Sequence, residues 1–364
     1  MQSAFIRISV LTGLLLGLPM LGIVATGADV HQYLEFPPST RYVNHAPFSW
    51  SVLSLTAAVG LLTLAGLLWL MARDRQTKSH TASERVSDSW PLWGWLGLML
   101  LFGSWVLAWN RFSWFADWQT MTFAPLWLGY ILVINAWTMR RTGRCPLINN
   151  RRRYLMLFPL SSLFWWYFEY LNRFVQNWLY IGVDDFGPAR YVLHATVAFS
   201  TVLPAVIGTR HWLASFIRPP VSPLALVFEE RIMHRTSWLV LCVASLALLL
   251  LGIWPNLLFP FLWFAPLLLL LALQGIYGDV DFLEQLRDQG WQAVYLPALA
   301  ALQCGFFWEL WNYYSAAKWI YTVPFVQRFQ VFEMPVVGFT GYLPFGIECA
   351  AIALLLGRDR GTRS

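Results

Sequence analysis

The stretch Ser237–Tyr277, SWLVLCVASLALLLLGIWPNLLFPFLWFAPLLLLLALQGIY, contains no Asp, Glu, Lys or Arg. A helix needs about 20 apolar residues to cross ~30 Å of hydrocarbon, and this stretch holds two such runs, 237–255 and 257–277. Trp254-Pro255-Asn256 stands between them, where Pro and Asn break the helix and leave a tight hairpin. Working outward, runs of the same kind lie at 8–27, 51–71, 91–109, 122–138, 154–172, 190–208, 292–312 and 334–356. The expectation is an all-α, polytopic transmembrane helical bundle of about ten spans.

Composition agrees. Of 364 residues 58% are apolar and 12% charged, where a soluble domain carries roughly 25% charged residues to wet its surface. The 22 Trp and 14 Tyr suit membrane interfaces, where these side chains gather. The net charge of +6 sits in short loops and forms no stripe, so no nucleic-acid partner is expected. Cys145, Cys242, Cys304 and Cys349 are scattered, without CxxC or zinc spacing. No disulfide framework and no metal site follow from them.

Loop charge orients the chain. With the N-terminus cytoplasmic, nineteen of the 25 Lys and Arg fall in inside segments, among them Arg140, Arg141, Arg144, Arg151, Arg152 and Arg153. The positive-inside rule then selects a bacterial inner (plasma) membrane protein with both termini cytoplasmic. The first run is read as a retained span; its length exceeds a usual signal-peptide core, although Thr26-Gly27-Ala28 resembles a cleavage site. An outer loop, 28–50, follows it.

Two parts of the chain repeat. Phe123-Ala124-Pro125-Leu126 recurs as Phe264-Ala265-Pro266-Leu267, an offset of 141. Glu169 and Asn172 recur as Glu309 and Asn312 at 140, an offset shared by Phe199/Phe339, Leu203/Leu343 and Pro204/Pro344; Trp178 and Trp319 correspond with a slip of one. The reading is two N-terminal helices in 1–90, a four-helix repeat in 91–208, a cytoplasmic linker in 209–236 and a second four-helix repeat in 237–364. Four spans return the chain to its starting side, so the repeats have parallel topology about an axis along the membrane normal. The linker contains Arg218-Pro219-Pro220-Val221-Ser222-Pro223, which stops any helix.

Ionisable groups inside spans cost ~2.5–3.5 kcal/mol on insertion scales and mark function by default. Here they are Glu169, Arg173, His194, Glu309 and Glu348, with Lys318 and Glu333 near the outer boundary. Glu169 and Arg173 are spaced for an i,i+4 ion pair. Glu309 has Tyr313 at the corresponding place and no local cation; its partner is either Lys318 or a group on another helix. Desolvation among Phe306, Phe307, Trp308 and Trp311 disfavours a charge there, which suits a proton donor. Glu348 lies deep in its span and corresponds to Gly208. The candidate catalytic residues are therefore Glu309, Glu348 and Glu333.

The outer segments Phe174–Arg190 and Tyr313–Phe332 are expected to fold back into the outer leaflet and bound an aromatic cleft. Asn312, Trp308, Trp319, Tyr313, Glu169, Asn172 and Trp178 are its candidate substrate-binding residues, and a lipophilic small molecule its ligand. The cofactor is unknown; His194 suggests a haem or quinone ligand or a hydrogen-bonded structural residue. His31, His45, Asp29 and Glu35 share the outer loop without a metal spacing. The arginines of 140–153 either enforce topology or bind anionic membrane lipids.

From FWELWN through Trp319 to Phe332-Glu333-Met334-Pro335 and GFTGYLPF, the second repeat resembles the small membrane-type lycopene cyclases. That resemblance implies repeated helical units, an isoprenoid-lipid substrate, and Glu309, Trp319 and Glu333 in the functional region. Glu333 stands alone before Pro335, where the family has a tandem acidic pair after proline. The chain as a whole looks like a bacterial multi-pass membrane protein. Two functions stay open: an isoprenoid-lipid enzyme with Glu309 as proton donor, or a transporter or non-catalytic subunit that joins a membrane-protein partner and binds its ligand at the repeat interface.

Overall fold

Lipid offers backbone N–H and C=O groups no partner, so apolar runs satisfy them internally as helices. The structure, a computed structural model, describes residues 2–76, 89–217, 229–278 and 281–357. Helices α1 (Gln2–Ala25) and α2 (Trp50–Gln76) come first. They are followed by α3 (Leu92–Trp109), α4 (Phe123–Thr142), α5 (Arg151–Val175), α6 (Pro188–Phe199) and α7 (Val202–Ala214). The second series is α8 (Glu230–Leu250), α9 (Phe261–Tyr277), α10 (Asp281–Gln289), α11 (Gln292–Tyr313) and α12 (Tyr342–Ala353). Among the described residues, sheet is confined to strands β1 (Trp178–Ile181) and β2 (Lys318–Tyr321) and a two-residue hairpin pairing Gln330–Val331 with Met334–Pro335.

Among the described residues, seven helices are long and apolar enough to cross a membrane, and nine if each of two bent pairs counts as one span. The fold is all-α and has the make-up of a multi-pass membrane protein. The expected run at 154–172 is helix α5, whose 25 residues are ample for a span. Trp165, Trp166, Tyr167, Glu169, Tyr170, Asn172 and Arg173 make its C-terminal half too polar to count by hydropathy. Helices α6 and α7 form one span, Pro188–Ala214, broken at Ser200-Thr201. The break is sealed by Ser161 of α5, whose Oγ donates to Phe199 O at 2.5 Å and accepts the N–H of Leu203 at 3.0 Å. α7 continues past the expected boundary at 208, and the proline-rich stop at 218–223 lies outside the described residues.

Packing follows the two series. α3 lies on α4 and α8 on α9, while α7 packs on α4, α5 and α11, and α12 packs on α11, α9 and α7. α1 lies against α8, where Gly22 meets the Leu249 carbonyl so closely that a Cβ would come within 1.8 Å of the oxygen. α2 is the least buried of the seven, with Leu55, Val59, Leu61, Leu62 and Trp69 exposed.

The loop between α1 and α2 is a strap. Gln176, just past α5, has left-handed backbone (φ 47°), a conformation that costs a non-glycine residue ~1–3 kcal/mol. Its side chain offsets this cost by holding the strap: Oε1 accepts the N–H of Tyr42 and of Val43 at 2.9 Å, and Nε2 donates to Thr40 O at 2.8 Å. The Tyr42 hydroxyl donates to Arg173 O, and His45 Nε2 meets Val175 O at 2.8 Å. Farther on, Ala46 N–H donates to Asn256 Oδ1 and Ser49 N–H to Phe325 O. The strap thus ties α5 to the α8–α9 hairpin and to the loop after β2.

Candidate functional site

Each of two long helices, α5 and α11, ends in the same local construction. One turn before the end of α5, Asn172 donates from Nδ2 to Trp178 O at 2.8 Å and accepts the N–H of Asn177 at 2.8 Å. At the end of α11, Asn312 donates to Trp319 O at 2.7 Å and accepts the Trp319 N–H at 2.9 Å. An asparagine can bridge both backbone polarities, so each one folds the following strand back over its helix. The two strands then pair antiparallel: Trp178 with Tyr321, Leu179 with Ile320, Tyr180 with Trp319 and Ile181 with Lys318. The ladder reads the same from either strand about the central Leu179–Ile320 pair.

Beneath this roof lie two carboxyl groups. Glu169 Oε1 accepts from Tyr180 OH at 2.6 Å, Trp165 Nε1 at 3.0 Å and Trp178 Nε1 at 3.1 Å. Glu309 Oε1 accepts from Tyr321 OH at 2.7 Å and Tyr342 OH at 2.8 Å, and Trp319 Nε1 in turn donates to Tyr321 OH at 2.9 Å. Glu309 is 0% exposed, and its Oε2 is buried with no hydrogen-bond partner among the described residues. A buried carboxyl oxygen without a donor is costly as an anion.

The two clusters differ by a paired exchange. Trp165, one turn before Glu169, corresponds to Gly305, one turn before Glu309. A Cβ at Gly305 would come within 2.3 Å of the Tyr342 ring, so the missing side chain makes the room that this ring fills. The first carboxyl is therefore surrounded mainly by indole N–H groups, which only donate. The second is held by hydroxyls, which donate and accept.

Aromatic rings from the opposite series close each cluster. Trp263 of α9 lies 5.4 Å from the Trp178 ring and 5.2 Å from Phe168. Phe123 of α4 lies 5.8 Å from Trp319, and Trp127 lies 5.0 Å from both Trp308 and Trp311. Phe345 joins the two groups, 5.8 Å from Trp165 and 6.3 Å from Trp308.

Of the residues singled out in the sequence, Glu309, Asn312 and Trp319 form one cluster and Glu169, Asn172 and Trp178 the other. Trp308 packs on Tyr342 at 5.9 Å, as a wall. Glu333 and Tyr313 are at the rim: Lys318 Nζ lies 2.5 Å from Glu333 Oε1, donates to Tyr313 O at 3.1 Å and sits 5.6 Å from the Tyr313 ring. Lys318 is thus the partner of Glu333 and not of Glu309. No ion pair joins Glu169 to Arg173 among the described residues; the indoles and Tyr180 take the carboxyl instead. Nor does an open cleft expose Glu309. Glu348 is buried apart from both clusters. Sequence reasoning missed Tyr180, Tyr321, Tyr342 and Trp165. Tyr180 and Tyr321 were within reach, since they share the offset of Trp178 and Trp319.

Among the described residues no group of three or more His, Cys, Asp or Glu is arranged to hold a metal ion. His194 packs on Phe186 at 4.8 Å, and Glu35 is turned toward Ser39 and Thr40 of its own loop. The chain matches no family model, no curated protein and no solved structure.

Proposed function

We propose that this chain is an intramembrane enzyme acting on an isoprenoid or similar unsaturated lipid, with Glu309 as proton donor. The observation that carries the reading is Glu309 itself, fully buried, with Oε1 held by two tyrosine hydroxyls and Oε2 left unpartnered. On this reading the proton passes from Oε2 to one carbon of a C=C bond, leaving a carbocation on its neighbour. Loss of a proton from an adjacent carbon to the Glu309 carboxylate then restores the acid. The π faces of Trp308, Trp319 and Tyr342 stabilise the cation between these steps. Admission of the lipid needs the Trp319–Tyr321 side of the roof to move. The likeness of this stretch to membrane-type lycopene cyclases points the same way.

The architecture behind this proposal has ten spans, α5 included, arranged as two N-terminal helices and two parallel four-helix repeats. Support comes from the ladder centred on Leu179–Ile320 and from the twin asparagine clamps. On the positive-inside reading both termini are cytoplasmic in a bacterial cell and the roof external; reporter fusions at Arg144 and Asp184 should read cytoplasmic and external. A second reading, a transporter or non-catalytic subunit with its ligand at the repeat interface, is favoured by one observation. Each carboxyl cluster is closed by aromatics from the other series.

Purification in mild detergent, followed by lipid mass spectrometry and an absorption spectrum, tests the choice. An unsaturated lipid should co-elute, and Glu309→Gln should abolish its conversion during expression while leaving it bound. Normal conversion in that variant would end the enzymatic role assigned to Glu309.

A further inference from the structure

The strands of the short hairpin, Gln330–Val331 and Met334–Pro335, are joined by a two-residue loop, Phe332-Glu333. Phe332 has φ 59°. Two-residue loops carry Gly, Asn or Asp at positions of positive φ, and a bulky side chain there is a true outlier. Two more phenylalanines of the same segment, Phe325 (φ 67°) and Phe329 (φ 54°), share the strain. Strained backbone persists only where its surroundings fix it, and it gathers at clamps and switches.

The contacts of the Phe332 ring show what fixes it. Its centroid lies 5.7 Å from Phe306 and 5.7 Å from Tyr313, both on α11. Phe306, Glu309 and Tyr313 are spaced i, i+3, i+7 and so share one face of that helix. Phe306 and Tyr313 stand about 10 Å apart along the axis, with Glu309 between them. A ring packed on both bridges the stretch of helix from which Glu309 projects. The two flanking residues are 45% and 36% exposed, whereas Glu309 is 0% exposed. The face is open on both sides of the acid and closed at the acid itself.

Glu333 fastens the ring in place. Its Oε1 lies 2.5 Å from Lys318 Nζ, which also donates to Tyr313 O at 3.1 Å. The Glu333 carboxyl is within electrostatic reach of Glu309. The base of the segment is held by backbone bonds instead. Phe325 N–H donates to Ala46 O, Phe325 O accepts from Ser49, and Phe329 O accepts from Val336. Gln327 joins this base to the roof, donating to Tyr321 O at 2.8 Å and accepting the Val323 N–H at 3.0 Å. Base and roof are thus one hydrogen-bonded piece. The Phe332-Glu333 loop is held over α11 by one ring and one ion pair, side-chain contacts that a rotation releases.

We propose that Phe332 is the gate between Glu309 and its lipid, and that the Lys318–Glu333 pair is the latch that keeps it shut. Release of the pair lets the strained loop turn its ring away from Phe306 and Tyr313. The acid then faces a lipid chain entering across α11 between those two residues. Gln327 passes the movement to Tyr321, the part of the roof that must also withdraw. Glu333, a candidate catalytic residue in the sequence, is then a positioning residue. What the gate admits rests on Glu309 being the acid of the proposed reaction; the gate itself does not.

Labelling of the whole protein in lipid with a hydrophobic carbodiimide, dicyclohexylcarbodiimide, tests the gate without a substrate. The reagent couples to protonated carboxyl groups in apolar surroundings, and peptide mass spectrometry reads each carboxyl separately. Phe332→Gly should speed labelling of Glu309 at least about tenfold, as when a rarely open state becomes the main one. Glycine suits the φ of this position, so that variant keeps its fold. Phe332→Tyr, which keeps the ring, should label at the wild-type rate, and Lys318→Met should speed labelling by a smaller factor than Phe332→Gly. Glu348, buried apart from the gate, should react at an unchanged rate in all three. Equal labelling of Glu309 in wild type and Phe332→Gly, none included, or a parallel rise at Glu348, would overturn the proposal. These readings are independent of the conversion assay on Glu309→Gln, so the gate and the enzymatic role fail separately.

Discussion

At the scale of single residues, Gly305 and Tyr342 behave as one unit. Gly305→Ala should destabilise the protein by ~1–3 kcal/mol through overpacking, because its Cβ falls 2.3 Å from the ring. Tyr342→Phe removes one donor to Glu309, worth ~0.5–1.5 kcal/mol. The double variant should cost less than the sum of the two, since residues in contact are not additive. Thermal unfolding midpoints in detergent measure all three, and full additivity would show that Gly305 has no bearing on the tyrosine. Glu309, Asn312 and Trp319 were legible in the sequence because they recur. Tyr342 was not, because the first series has Val202 in its place and supplies the ring from Trp165. A substitution that moves a contact from one helix to another leaves no trace at a fixed offset.

At the scale of elements, the asparagine clamps and the strap carry the roof. Asn172→Ala takes away three hydrogen bonds around Asn177 and Trp178. It should cost about 2 kcal/mol and speed amide exchange across Trp178–Ile181. In the strap, the Ser39 hydroxyl and the Thr40 N–H bonded to Glu35 hold its carboxyl down to about 2, from 4.5. A carboxyl lowered by folding stabilises above its unfolded value and loses that contribution as pH falls. The strap should therefore loosen between pH 4.5 and about 2. Burial likewise pushes His45 below 6.5, so its contribution also fades on acidification. Hydrogen exchange of residues 35–46, corrected for the intrinsic pH effect, should rise over this range, and Glu35→Ala should raise it already at pH 7. The helices themselves were legible as apolar runs. The ladder was not, because four-residue strands among aromatics carry no period of their own and form only when two distant segments meet.

For the whole molecule, the ladder makes the two series answer to one another. Leu179 and Ile320 are opposed residues, and opposed positions of antiparallel strands stand ~4.5–5.5 Å apart at Cα, within disulfide range. Leu179→Cys with Ile320→Cys should cross-link on oxidation, giving a linked peptide by mass spectrometry that neither single variant yields. If the roof must part to admit a lipid, that cross-link should also block conversion until it is reduced. Conversion that continues in the cross-linked protein would place entry elsewhere. The class of the molecule was plain from its charge-free runs, whereas the count of spans was not. α5 carries Trp165, Glu169 and Asn172 of the first carboxyl cluster, and with residues so polar and aromatic it is not among the helices apolar enough to count as spans.

The same ladder orders the birth of the chain. β1 leaves the ribosome well over a hundred residues before β2, and Trp178 precedes Trp263 by 85 residues. Throughout that interval Glu169 stands under half a roof, its strand edge unpaired. A nascent chain halted within 237–277 would carry that edge unpaired, open to any strand able to complete it. Arrival of Lys318–Tyr321 therefore pairs the waiting edge, and Tyr342 and Phe345, which follow it, complete the clusters.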